Sequence, residues 1–222
     1  MKKLFALILV FLFVPAIALC STAKILDQDT ELRPQGWTSG ALKFKQGSTV
    51  ELNDRGQVIT GVLKEDTYVL RPAGVAYVSL AMYVTPPYHS WYIYFQGGQS
   101  VTFDERGRVL SGTISSDTDA YLIPNADPLV RFKKKTILNF DRNGNVTNGT
   151  ICDDTFLSPA GWEKFLNNSS GILKFQAGTE VVFGPNAQVL KGTIANDLTI
   201  NGKIYPAGTR LQFSESDYPY RF

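Results

Sequence analysis

Residues 95–117 read FQGGQSVTFDERGRVLSGTISSD. Val101 and Phe103 flank one polar residue, so both fall on the same face of a strand. Asp104-Glu105-Arg106-Gly107 then breaks the apolar pattern with acidic and polar residues and a glycine. Such a cluster between two valine-containing runs predicts a hairpin turn, with the glycine at a positive φ. Val109 and Ile114 follow, with Gly112 between them, and Asp117 closes the unit.

The same 23-residue unit occurs four times without a gap, at 44–66, 95–117, 132–154 and 175–197. Its consensus is F-x2-G-x2-V-x-F-x3-G-x-V-x2-G-T-I-x2-D. The turn position holds Gly56, Gly107, Gly144 and Ala187; beside Ala187, Asn186 is the residue expected to adopt the left-handed conformation. The later glycine is Gly61, Gly112, Gly149 and Gly192. It lies between Val58 and Leu63, Val109 and Ile114, Val146 and Ile151, and Val189 and Ile194. These pairs are five apart, which in a flat strand would put them on opposite faces. A bulge or bend at the glycine is therefore expected. The closing aspartates, Asp66, Asp117, Asp154 and Asp197, are expected to bond nearby backbone N–H groups. Leu26–Thr30 resembles the tail of a further unit, and Tyr205–Phe213 the head of another.

No sustained helical period interrupts these units. The expectation is an all-β fold of stacked antiparallel hairpin repeats, solenoid-like or barrel-like, with about ten to fourteen short strands. The repeat domain spans 24–213, and 214–222 forms a C-terminal tail. At the other end, Lys2-Lys3, the apolar run Leu4–Val14 and Ala16-Ile17-Ala18 form the pattern of a secretory signal helix over 1–18. The run is short for a membrane span and contains Pro15. Membrane contact is expected only through an uncleaved or lipid-modified N-terminus near Cys20.

The 222 residues are 44% hydrophobic and 19% charged, which is a globular composition. Loss of Lys2 and Lys3 leaves 20 basic residues against 20 acidic, so no basic surface for nucleic acid is expected. Lys133-Lys134-Lys135 reads as a solvated strand edge. One histidine and two cysteines exclude most zinc, haem and iron–sulfur sites, and no cofactor or metal is expected. Export would expose Cys20 and Cys152 to an oxidising compartment, where they could pair. His89 has no acid near it in sequence, so no catalytic set is assigned.

Candidate ligand-binding residues lie in the irregular segments. The longest insertion, 76–94, carries Tyr88, His89, Trp91 and Tyr92. Pro-x-Gly-Trp occurs twice, ending in Trp37 and Trp162, and Pro72–Val75 is a copy without the tryptophan. Aromatic residues in loops either plug a turn or grip a partner.

The Gly-Trp pairs at 36–37 and 161–162, the run Trp91–Phe95 and the paired glycines give a layout that resembles the hairpin repeats of secreted bacterial proteins. It is also similar to MORN-type and choline-binding cell-wall repeats, although the period here, 51, 37 and 43 residues, is longer. The resemblance implies architecture and no ligand. Together these features predict an exported bacterial envelope or surface protein, a non-enzymatic binding or scaffold module whose partner is a cell-envelope glycan or protein. The alternatives are an envelope enzyme or inhibitor with its site at 76–94, and a purely structural envelope component.

Overall fold

The computed structural model describes residues 21–70, 92–123, 126–166, 170–216 and 219–221. The first strands are β1 (Thr22–Ile25), β2 (Thr30–Leu32), β3 (Leu42–Phe44), β4 (Thr49–Leu52), β5 (Val58–Val62), β6 (Thr67–Leu70) and β7 (Tyr92–Phe95). Next come β8 (Ser100–Phe103), β9 (Val109–Thr113), β10 (Thr118–Ile123), β11 (Ala126–Phe132), β12 (Ile137–Phe140), β13 (Val146–Thr150) and β14 (Thr155–Leu157). The last are β15 (Leu173–Phe175), β16 (Glu180–Phe183), β17 (Val189–Thr193), β18 (Leu198–Ile200), β19 (Lys203–Tyr205), β20 (Arg210–Gln212) and β21 (Tyr220–Arg221). A single 3-10 turn, Trp162–Lys164, is the one helical element among the described residues. No helix among them is long and apolar enough to cross a membrane.

Eleven strands form one antiparallel sheet in the order β1-β4-β5-β8-β9-β12-β13-β16-β17-β20-β21. The other ten form five separate hairpins, β2–β3, β6–β7, β10–β11, β14–β15 and β18–β19. The chain thus lays two strands in the large sheet, leaves it for a hairpin, and returns. The twenty-one strands among the described residues exceed the number expected from sequence, because segments between the matched cores are themselves strands.

Each separate hairpin ends in a buried aromatic residue: Phe44, Phe95, Phe132, Phe175 or Tyr205. The four phenylalanines bridge antiparallel to Leu63, Ile114, Ile151 and Ile194, at the corners where the chain leaves the sheet. Their rings lie on the recurring strand glycines. A Cβ at Gly61, Gly112, Gly149 or Gly192 would sit 2.5–2.7 Å from a ring carbon of Phe44, Phe95, Phe132 or Phe175. These glycines therefore leave room for a ring, and each such ring contributes about 2–3 kcal/mol on burial. Val50, Val101, Leu138 and Val181 complete the inner face of the sheet within the same apolar cluster.

The bulge expected at the glycine is present but lies earlier. Thr60 pairs with Glu51 while Val58 pairs with Leu52, so Ile59 is the extra residue. Leu110, Thr147 and Leu190 are its counterparts. The extra residue resets the alternation, which brings Val58 and Leu63 to the same buried face.

At the hairpin tips, Gly56, Gly107 and Gly144 have φ of 70°, 79° and 88°. Ala187 itself adopts φ 61°, so the left-handed residue is not Asn186. Asn53, Asp104 and Asp141 each accept two backbone N–H bonds across their own tip. The fourth tip has Gly184 there, and the Gln188 side chain accepts from Asn186 N–H instead. The run Lys133–Lys135 is an exposed tight turn between β11 and β12 rather than a strand edge, and Lys135 adopts φ 61°.

The closing aspartates do bond backbone N–H groups, but those of the next turn along the chain. Asp29, Asp66, Asp117, Asp154 and Asp197 accept from Gln46, Gly97, Lys134, Ala177 and Ala207, at 2.7–2.8 Å. Each carboxylate therefore fastens the start of one separate hairpin to the turn that follows it.

Candidate functional site

The Pro-x-Gly-Trp loops cross from the separate hairpins onto the large sheet. The first joins β2 to β3. Pro34 forms a parallel bridge with Val58, where Gln35 N–H donates to Val58 O and Val58 N–H donates to Arg33 O, both at 2.9 Å. The buried Gln35 side chain donates to Phe103 O, so the loop reaches the neighbouring sheet hairpin. Gly36, at φ 79°, lies so close to residues 105–107 that a Cβ would sit 2.3 Å from Gly107 N. Its glycine is thus required by close approach as well as by conformation. The indole N–H of Trp37 donates to Gly107 O at 2.7 Å.

The second loop joins β14 to β15 and repeats this docking two units later. Pro159 bridges Val189, and Ala160 N–H donates to Val189 O at 2.9 Å. Gly161, at φ 66°, approaches Ser214 as Gly36 approaches Glu105. Trp162 opens the 3-10 turn and packs on Gly171, where a Cβ would lie 2.5 Å from the indole. The Lys164 ammonium donates to Ser216 O at 2.9 Å.

Each loop walls a cleft. The first, of about 460 Å³, is lined by Trp37, Asn53, Asp54, Arg55, Gln57 and Glu105 among others. The second, of about 420 Å³, includes Trp162, Glu163, Asn186, Gln188, Glu215 and the exposed Phe156. Aligned on the repeat, Gln57 corresponds to Gln188, and Glu105 to Glu215. The glutamine comes from the sheet hairpin that the loop crosses, and the glutamate from the next one. Gln57 donates to Trp37 O at 3.3 Å, and Gln188 donates to Glu215 at 3.5 Å. Where no Trp loop crosses, the glutamine position holds Arg108 or Asn145. Each cleft therefore offers a half-buried indole, an amide and an exposed carboxylate.

No family model, curated protein or solved structure matches the chain.

Trp37 and Trp162 thus hold the same place in two loops that cross the sheet alike, 125 residues apart, while one indole seats on Gly107 and the other on Gly171. Tyr92 begins β7 opposite Leu70. Tyr88, His89, Trp91, Pro72–Val75, the signal segment 1–18 and Cys20 lie outside the described residues. Cys152 is a free thiol among the described residues. Burial and the Asp117 and Asp153 carboxylates raise its pKa, so the thiolate that redox or nucleophilic chemistry needs is disfavoured.

Two aromatic features were not singled out from sequence. Tyr68, 65% exposed, stacks on Tyr94 across β6–β7 with ring centroids 4.3 Å apart. Phe156 opposes Lys174 across β14–β15, with the ammonium 5.8 Å from the ring. Both pairs occupy one repeat position, which elsewhere holds Glu31 opposite Lys43 and Asp119 opposite Arg131. Strand alternation starting from the threonine after Asp66 and Asp154 marks them as outward-facing.

Proposed function

We propose that the chain is an exported, non-enzymatic binding module of the bacterial envelope or cell surface, and that the Trp–Gln–Glu clefts take a neutral glycan. In this reading a cleaved leader precedes a solenoid-like stack of hairpin modules. The observation that carries it is the recurrence of indole, amide and carboxylate in an open cleft at both Pro-x-Gly-Trp loops. An indole stacks on the C–H face of a sugar ring. An amide and a carboxylate pair with sugar hydroxyls, and a carboxylate accepts without competing as a donor. The carboxylates at both clefts disfavour uronates and phosphorylated polymers.

Titration with neutral and with uronate oligosaccharides, followed by tryptophan fluorescence, tests this. The neutral saccharides are expected to shift the emission saturably, and the uronates to leave it unchanged. A reversed preference, or no response to either, removes the reading.

A purely structural envelope role is the second reading. It is favoured by the bond from Trp37 to Gly107 O, which holds that indole as a plug between adjacent hairpins. It predicts that Trp37→Phe lowers stability while no saccharide alters the fluorescence.

A further inference from the structure

We infer that the two clefts are equivalent subsites for one repeating glycan, so that the protein binds a polymer bivalently. This rests on the glycan reading above and goes beyond it in specifying valency and ligand length.

The equivalence is between residues as well as loops. Four elements recur together: Gly36 and Gly161, Trp37 and Trp162, Gln57 and Gln188, Glu105 and Glu215. The glycines and indoles serve the packing of the loop itself. Gln57 and Gln188 belong to the sheet hairpin beneath, and Glu105 and Glu215 to its neighbour. Intervening hairpins keep the same backbone tip but carry Arg108, Asn145 and Arg142 at the matching positions. The glutamines also serve their own tips, where Gln57 accepts from Asn53 and Gln188 from Asn186 N–H. The glutamates do not bond their own tips, and their return beside the second Trp loop is what a duplicated recognition surface requires. The two carboxylates are exposed, with Glu105 paired to Arg142 at 3.2 Å and Glu215 accepting from Gln188 at 3.5 Å through one oxygen each.

The sheet fixes the separation of the two clefts. They lie at the tips of the β4–β5 and β16–β17 hairpins, which are six steps apart in the sheet order. At a strand spacing of about 4.8 Å, that is roughly 29 Å along the sheet. A short saccharide fills one cleft. A long chain of the same sugar can reach both, and its second contact becomes intramolecular. Linkage of this kind raises affinity by about 10²- to 10⁴-fold without any new contact.

The test uses the full mature chain, the β-1,4-linked disaccharide of N-acetylglucosamine, and a long soluble polymer of the same sugar. Calorimetry is expected to give two disaccharides per chain with one shared affinity, and a polymer affinity at least tenfold tighter per sugar. Glu105→Ala or Glu215→Ala alone should reduce polymer binding to the disaccharide level and halve the disaccharide stoichiometry. The double variant should bind neither probe. Because both side chains are exposed, unchanged circular dichroism and melting are expected for all three variants.

A polymer affinity per sugar equal to that of the disaccharide, with two disaccharides still bound, overturns bivalency and leaves the glycan site standing. One disaccharide per chain overturns the equivalence of the clefts. Failure of the wild-type protein to bind either probe removes the glycan reading itself.

Discussion

Three of the four repeat cores carry a tip glycine and a strand glycine five residues apart, and the two meet different physical demands. At the hairpin tip, Gly56 has a φ of 70° and open space around the position a Cβ would occupy. In the strand, Gly112 has no such backbone demand, but a Cβ there would lie 2.5 Å from the Phe95 ring. The first position can be filled at a conformational cost, as Ala187 at φ 61° demonstrates. The second is filled by glycine in all four cores, because the space belongs to a buried ring. A recurring glycine in a repeat can thus mark a backbone angle or a neighbour's volume.

Substitutions can separate these two demands. The largest effect is expected from Gly112→Val, which drives a branched side chain into the Phe95 ring. It should destabilise by about 3 kcal/mol or more in urea unfolding. Unchanged stability would mean that the ring does not rest on that strand. Next is Gly107→Ala, where a positive φ of 79° coincides with a Cβ position 2.1 Å from the Trp37 indole. A loss of about 2–3 kcal/mol is expected, together with a red shift of tryptophan emission as the indole leaves its seat. Gly56→Ala meets only the backbone demand and should cost about 1 kcal/mol. A cost equal to that of Gly107→Ala would erase the contribution assigned to Trp37. Ala187→Gly relieves the left-handed alanine and should raise stability by less than about 1 kcal/mol, because glycine also loosens the unfolded chain.

Acid sensitivity, the smallest effect, is expected from the turn-fastening aspartates. The Lys64 ammonium and the Gln46 N–H hold the Asp29 carboxyl below its ordinary value of 3.8. The Lys134 N–H does the same for Asp117. For Asp154 the Ala177 N–H acts with Lys174. Near that pH the unfolded chain binds more protons than the folded one, so stability is complete above about pH 4 and declines as pH falls further. Melting followed from pH 6 to pH 2 should show this decline, and Asp29→Asn, Asp117→Asn and Asp154→Asn combined should flatten it. An equally steep acid limb in the triple variant would place the sensitivity elsewhere.

Much of the sheet was legible in the sequence. Val-x-Phe alternation and the acidic glycine turns mark the sheet hairpins, and the partial units Leu26–Thr30 and Tyr205–Phe213 appear as the turn from β1 into β2 and as the end of β19 leading into β20. The separate hairpins were less visible, because strands such as Thr155–Leu157 and Lys203–Tyr205 are too short to show a period. Sequence alone puts the bulge at Gly112 rather than Leu110, since a glycine in a strand signals either a bulge or a close neighbour, and here the neighbour is Phe95. Asp117 reads as having a local partner because spacing reveals that a carboxylate is poised at a turn and not which chain segment returns to it. At the candidate site, the Trp37 and Trp162 loops stood out as a repeated motif. Gln57 and Glu105 did not, since they lie in different units and meet only when two adjacent hairpins are packed.

The pairing of β6 with β7 has a consequence for engineering. Leu70 and Tyr92 face each other at the end of a closed ladder, with residues 71–91 between them. The corresponding ladder of β10 and β11 closes at Ile123 and Ala126, around two residues. For a flexible chain, a difference of that length corresponds to only about 2 kcal/mol of loop-closure entropy. The hairpin ends therefore suit grafting: foreign peptides of very different length could be displayed there while the scaffold beneath keeps its register.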